Sequence, residues 1–288
     1  MTWLLISILT NTILLLILKG FEKYGVNTLH GIVVNYFIAA STGLFVAGIP
    51  TIQEIEVQSA GVMWIPTFLG FLFISIFFTL AKTAQVVGIS VATVANKMSV
   101  VIPVVAALYL YGEDLNWIKA TGIGAALIAV WLASKKSNSS SFDPKYVFFP
   151  MIIFIGSGII DALINHLQKT IPNTALIPFL FSLAFGCALC IGVVVVVYRM
   201  VQHGERVSWK SIVGGIVLGI PNYFSIFAVA KALEANIMDS SQFYPVNNMG
   251  IVICSAIGAT LVFKEKLSLI NWCGILLSIG AIALIAFS

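Results

Sequence analysis

A lysine in the middle of an apolar run offers the most chemistry in this sequence. Lys97 lies in Thr93-Val94-Ala95-Asn96-Lys97-Met98-Ser99-Val100-Val101-Ile102-Pro103, inside a stretch from Ser90 to Tyr111 that is otherwise fit for lipid. At about 1.5 Å of rise per residue, Lys97 sits roughly 10 Å along such a helix, near the middle of a hydrocarbon core about 30 Å thick. A lone ammonium is costly there, so it must face protein or a water-filled cavity and have a partner. Ser90, Thr93 and Lys97 share one face at helical spacing, with Asn96 at its edge. Pro103 removes a backbone hydrogen bond and bends the helix near the same depth. A polar face of this kind suits binding of a solute; a buried ion pair or a snorkelling lysine is the structural alternative.

Further polar groups fall inside other apolar runs. Ser241, Tyr244 and Asn248 share a helical face, with Asn247 beside them and Pro245 loosening the backbone. Asn11, Asn35 and Asn222 (after Pro221) lie inside three more runs. The candidate substrate-binding set is thus Lys97, Asn96, Thr93, Asn248, Asn247, Tyr244, Asn222, Asn35 and Asn11, with interhelical hydrogen bonding as the alternative for each asparagine. Asp161 and Asn165 are four apart on one face, with His166 about 100° further round. A desolvated carboxylate titrates near neutrality, which proton coupling needs, so Asp161 and His166 are the ion-coupling candidates. Asp161 as the counter-ion of Lys97 is the competing role. Glu113, Asp114, Glu265 and Lys266 stand at helix junctions, where solvated or capping roles are expected.

Enzymatic and metal chemistry find little support. Cys187 and Cys190 form a C-x-x-C with no histidine or further cysteine near them, so they read as small residues between packed helices. Gly156-Ser157-Gly158 and His166 superficially resemble hydrolase elements, but they share one helix and lack a nucleophile elbow. No G-x-x-x-x-G-K-[ST] phosphate loop is present. No catalytic residue, metal or cofactor is therefore expected.

The elements that must position these groups are membrane helices. The chain has 288 residues, 60% hydrophobic and 9% charged, with mean hydropathy +1.05; soluble domains carry about 25% charged residues. Its net charge of +4 is spread over loops, so nucleic acid is not an expected partner. The start lacks a basic n-region, so the first apolar run reads as a retained helix. Ten helices are predicted: Trp3–Lys19, Thr28–Gly48, Ala60–Lys82, Ser90–Tyr111, Asn116–Ser134, Tyr146–Lys169, Ala175–Arg199, Ser208–Ala232, Ser240–Phe263 and Leu269–Phe287. The six tryptophans mostly fall near predicted helix ends and read as an interfacial belt.

The chain divides into residues 1–136, a polar linker over 137–145, and residues 146–288. The two halves resemble each other. Ala81-Lys82 matches Ala230-Lys231, Asn11 and Lys19 match Asp161 and Lys169, and Asn96 matches Asn248, all 149 to 152 positions apart. Five helices per half is an odd number, so the second half sits upside down relative to the first, the plan of many secondary transporters. The expected fold is all-α and integral to the membrane, with ten transmembrane helices as two inverted five-helix repeats around a central cavity.

The helix ends Tyr111-Gly112-Glu113 and Phe263-Lys264-Glu265 are each followed by a Gly-rich closing helix, Thr121-Gly122-Ile123-Gly124-Ala125-Ala126-Leu127-Ile128 and Cys273-Gly274-Ile275-Leu276-Leu277-Ser278-Ile279-Gly280. On these motifs the whole chain resembles ten-helix members of the drug/metabolite transporter (DMT) superfamily of the EamA type. Lys264 departs from the pattern, since the first half has Gly112 there. The resemblance implies a basket of helices around a central cavity and alternating access. The expected function is secondary transport of a small polar or amphipathic metabolite, amino-acid-like or an organic anion, with a proton or sodium ion as coupling partner. An intramembrane enzyme and a channel or non-transporting membrane protein are the competing classes. The expected setting is the bilayer of the bacterial inner membrane, as a multi-pass monomer or homodimer.

Charge also bears on orientation. Loops sharing a side with the linker hold eleven Lys and Arg; the opposite side holds Lys119, Lys169 and Lys231. The positive-inside rule puts the linker in the cytoplasm and both termini outside, whereas the family resemblance implies cytoplasmic termini.

Overall fold

The computed structural model describes residues 2–48, 63–110, 116–134, 145–170, 176–234 and 240–286. Most of the linker and the motif Tyr111-Gly112-Glu113, with Asp114, lie outside the described residues. Within them the chain forms α-helices and no strand: α1 (Thr2–Tyr24), α2 (Thr28–Ala47), α3 (Trp64–Val86), α4 (Ile89–Met98), α5 (Val101–Leu110), α6 (Trp117–Ser134), α7 (Lys145–Thr170), α8 (Ile177–His203), α9 (Trp209–Glu234), α10 (Ser240–Phe263) and α11 (Leu269–Ala286). Helices satisfy every backbone group within the segment, as hydrocarbon demands. Among the described residues nine helical stretches are long and apolar enough to cross a membrane, and Trp117–Ala133 is a shorter apolar one. The protein is an all-α, multi-pass membrane protein.

Helix ends move by up to five residues from the predicted ones, and the fourth span divides. The first helix continues past Lys19 to Tyr24, because Leu18 and Phe21 are buried and extend its packed stripe. It ends at Gly25, whose φ of +67° turns the chain toward Asn27. Asn27 caps α2, its side chain accepting from the Leu29 and His30 amides at 3.1 and 3.3 Å. The fourth span is two helices rather than one bent helix. The break falls at Ser99–Val100, four residues before Pro103, because a proline at 103 has no amide to donate to the Ser99 carbonyl and its ring crowds that oxygen. Ile102 N donates to the Ser99 carbonyl instead, at 2.9 Å.

The chain forms two compact units, each drawing segments from both sequence halves. Unit 1 holds residues 1–19, 79–159 and 224–288; unit 2 holds residues 20–78 and 160–223. In unit 1, α6 and α11 pack antiparallel with no room for a Cβ at their crossing glycines. Gly122 lies against Leu284 and Ile285, and Gly274 against the backbone of Ala129 and Ala133. Small residues allow such close approach where hydrocarbon offers no hydrophobic drive for helices to associate. Ser268 and Asn271 cap α11 reciprocally, and Asn271 Nδ2 also donates to the Ala133 carbonyl at 2.8 Å. α10 runs beside α1, with Gly250 against Ile8 and Gly258 against Leu16, and Gly158 of α7 closes on Ile102 of α5.

In unit 2, α2 and α8 pack antiparallel, Gly43 against Ser182 and Gly192 against Val33. Gly215 and Gly219 of α9 lie against Val34 and Ile38 of α2, and Gly70 of α3 against Cys187 of α8. Ile65, Leu69, Leu167, Leu176, Leu180 and Ala184 form a buried cluster. Tyr36 is buried in this unit, 5.9 Å from the ring of Phe185 and 6.0 Å from that of Phe77.

Candidate functional site

The polar face of the fourth span lies in unit 1. Along α4, Ser90 and Thr93 are buried, while Asn96 and Lys97 in the last turn are half-buried. Thr93 donates its hydroxyl back to the Ile89 carbonyl at 2.8 Å, so it serves its own helix. Asn96 Nδ2 donates to Ser157 Oγ of α7 at 2.8 Å. The helix break leaves the C-terminus of α4 beside Lys97, where the partial negative charge of the helix end favours a cation. A half-buried ammonium, an interhelical amide and the broken end of a helix thus converge at Asn96–Ser99.

The second polar set of this unit lies on α10. Asn247 is buried and its Oδ1 has no hydrogen-bond partner; Asn248 is half-buried; Tyr244 is 38% exposed, edge-on to Phe243 at 5.7 Å. Asn11 of α1 is half-buried and donates to the Ser7 carbonyl of its own helix at 2.9 Å.

The remaining predicted residues belong to unit 2. Asn222 Nδ2 of α9 donates to Asn35 Oδ1 of α2 at 3.0 Å, both residues buried, so this pair joins two helices. Asp161 and His166 are exposed on α7. Lys97 and Asp161 therefore belong to different units.

Two clusters have no counterpart among the sequence candidates, and a third gathers partners around Glu265, for which a capping role is expected. Ser157, considered there only as a nucleophile, is the partner of Asn96; its repeat match to Ser7, 150 positions away, was the available signal. In unit 2, buried His30 has Nε2 3.5 Å from Glu205 Oε2, and Glu205 Oε1 is 3.7 Å from Arg199 Nη1. In unit 1, Lys19 Nζ donates to the Gln85 carbonyl at 2.6 Å and lies 3.8 Å from Glu265 Oε1, while Gln85 Nε2 donates to the Leu18 carbonyl at 2.9 Å. Glu265 accepts from the Ile89 amide at 3.0 and 3.2 Å and so caps α4. Gly88, at φ +141°, brings the chain under that carboxylate. Burial pushes the Glu265 carboxyl above its ordinary value, opposed by the Ile89 amide and Lys19.

A surface depression lined by Trp64, Thr67, Phe68, Phe71 and Ile191 contains none of the predicted site residues. Among the described residues no group of three His, Cys, Asp or Glu side chains is placed to hold a metal ion.

No protein-family model matches the sequence. The chain is 29% identical over 290 residues to an uncharacterized protein of Haemophilus influenzae, spanning 97% of this chain and 95% of that one. A solved crystal structure is similar at a TM-score of 0.55 and 14% identity, over 96% of this chain and 95% of the other. That likeness is one of fold.

Proposed function

We propose that the protein is a secondary transporter carrying a small polar or amphipathic metabolite, amino-acid-like or an organic anion, by alternating access. The observation that carries this reading is a reciprocity in two helix pairs. In α6·α11, Gly122 meets Ile285 and Gly274 meets Ala133; 122 and 274 are 152 positions apart, and so are 133 and 285. In α2·α8, Gly43 meets Ser182 and Gly192 meets Val33; 43 and 192, like 33 and 182, are 149 apart. Exchanging the halves converts each contact into its counterpart, and both pairs are antiparallel. A two-fold axis in the membrane plane has that consequence, which supports inverted repeats and the transporter plan built on them. The resemblance to EamA-type members of the DMT superfamily points the same way.

The broken fourth span supports the same reading, because interrupted helices present backbone ends and polar groups to solutes at mid-depth. Lys97 favours a carboxylate- or phosphate-bearing solute only where Asp161 does not neutralise it, with Asn96 and Asn248 as hydrogen-bonding partners. Asp161 and His166 are the sequence candidates for ion coupling, although both are exposed on α7 rather than desolvated. The protein works in the bacterial inner membrane as a monomer or homodimer.

A thermal-shift screen of detergent-solubilised protein against metabolite pools tests the proposal, since a solute that binds the folded state stabilises it. A stabilising solute should then show counterflow in proteoliposomes. Flux without counterflow points to a channel, and labelling of Ser157 by a fluorophosphonate points to an enzyme; either result overturns the transporter reading.

A further inference from the structure

We propose that Ser7 and Asn248 form, in the opposite-facing state, the hydrogen bond that Ser157 and Asn96 form here, which makes Ser7 a positioning residue of the transport cycle. The inference rests on the inverted-repeat reading above. The repeat partner of Asn96 is Asn248, 152 positions on. That of Ser157 is Ser7, 150 positions back, in the register that also pairs Asn11 with Asp161 and Lys19 with Lys169.

The two pairs differ in state. In one, Asn96 Nδ2 donates to Ser157 Oγ at 2.8 Å. In the other, α1 and α10 cross at the matching level, with Gly250 against Ile8, next to both Asn248 and Ser7. Yet Ser7 is fully buried and its hydroxyl oxygen has no hydrogen-bond partner. Asn247, beside Asn248, also buries a carboxamide oxygen without one.

A buried hydroxyl left unsatisfied is costly, so its persistence needs a reason. Alternating access supplies one. When inverted repeats exchange conformations, each takes up the arrangement the other has just left. One closed pair and one open pair are then the expected pattern in either end state. The exchange conserves the number of bonds, so these groups favour neither end state and place no net uphill step between them.

Thermal unfolding of full-length variants in detergent tests this without a solute. Ser157→Ala and Asn96→Leu should be coupled, the double variant departing from additivity by about 2 °C or more in melting temperature. In the wild-type background Ser7→Ala and Asn248→Leu should simply add, with Ser7→Ala neutral or stabilising. In the Ser157→Ala background, where the first bond is gone, the same two changes should become coupled to a similar degree. Coupling confined to that background is the expected result. Coupling in neither background makes Ser7 an inert core hydroxyl, and coupling in both makes the bond static; each outcome overturns the proposal. Asn248→Ala replaces Asn248→Leu should the latter not fold. Failure of the wild type to bind or carry any screened solute would instead overturn the transporter reading, and it leaves the coupling pattern to be read on its own.

Discussion

Lys97 and the Asn35–Asn222 pair represent two uses of polar side chains in a bilayer, and substitution separates them. Lys97 lies half-buried at the broken end of α4, so Lys97→Met removes a costly cation while keeping most of its length. Uptake in proteoliposomes should fall steeply, more for anionic than for neutral solutes. Normal uptake by this variant would remove Lys97 from the site. The Asn35–Asn222 bond instead joins α2 to α9. Asn222→Leu leaves a buried amide unpaired and should cost about 1–3 kcal/mol of stability. Asn35→Leu with Asn222→Leu removes both partners and should recover much of that loss; a double variant less stable than either single one would refute the assignment. The sequence showed that these residues sit inside spans, but not which were already engaged. Thr93 turned inward to its own backbone, and Asn96 found Ser157, a partner 61 positions away that no local pattern announces.

At the scale of helices, apolar runs and turn residues made the class of the elements legible, and their approximate places among the described residues. The position of the break in the fourth span was not, because a proline acts on the carbonyl four residues before it, and Ser99 rather than Pro103 ends the helix. Crossing glycines and merely apolar-run glycines also look alike in sequence. Gly122→Leu and Gly274→Leu place a side chain into a neighbouring backbone or side chain, while Gly124 and Gly280 have open space around them. The first two substitutions should lower melting temperature strongly and to similar extents, and Gly124→Leu and Gly280→Leu should be nearly silent. The Glu265 cap of α4 provides a pH-dependent counterpart. Its folded-state carboxyl binds a proton more tightly than the unfolded chain, whose value is near 4.5. The associated stability is therefore fully present below about 4.5 and is lost as pH rises through the higher folded value. Glu265→Gln keeps an acceptor for the Ile89 amide and should flatten this part of the stability–pH curve. Glu265→Ala removes the cap and should cost about 1 kcal/mol. A wild-type curve that superimposes on that of Glu265→Gln would exclude this titration.

For the whole molecule, an all-α membrane protein followed directly from composition, and the pairing of distant segments did not. Unit 1 gathers Lys19, Gln85, Ile89 and Glu265 from three separate parts of the chain. From the charge counts we expect that end of the spans, with the linker, to face the cytoplasm. A reporter active only outside the cytoplasm should accordingly be active when fused after Ser288; activity of a cytoplasm-restricted reporter there would reverse the orientation. The broken fourth span also has a consequence for biosynthesis. A lysine at mid-depth weakens insertion of a segment by about 2.5–3.5 kcal/mol, and α4 alone, with 10 residues, is half of the roughly 20 needed to cross. Ser157 emerges from the ribosome 61 residues after Asn96, a delay of several seconds at about 5–20 residues per second. Until α7 arrives, this span should linger at the insertion machinery or the membrane surface. In chains stalled after Ser134, a Lys97→Cys thiol should react with a water-soluble maleimide more readily than in the completed protein.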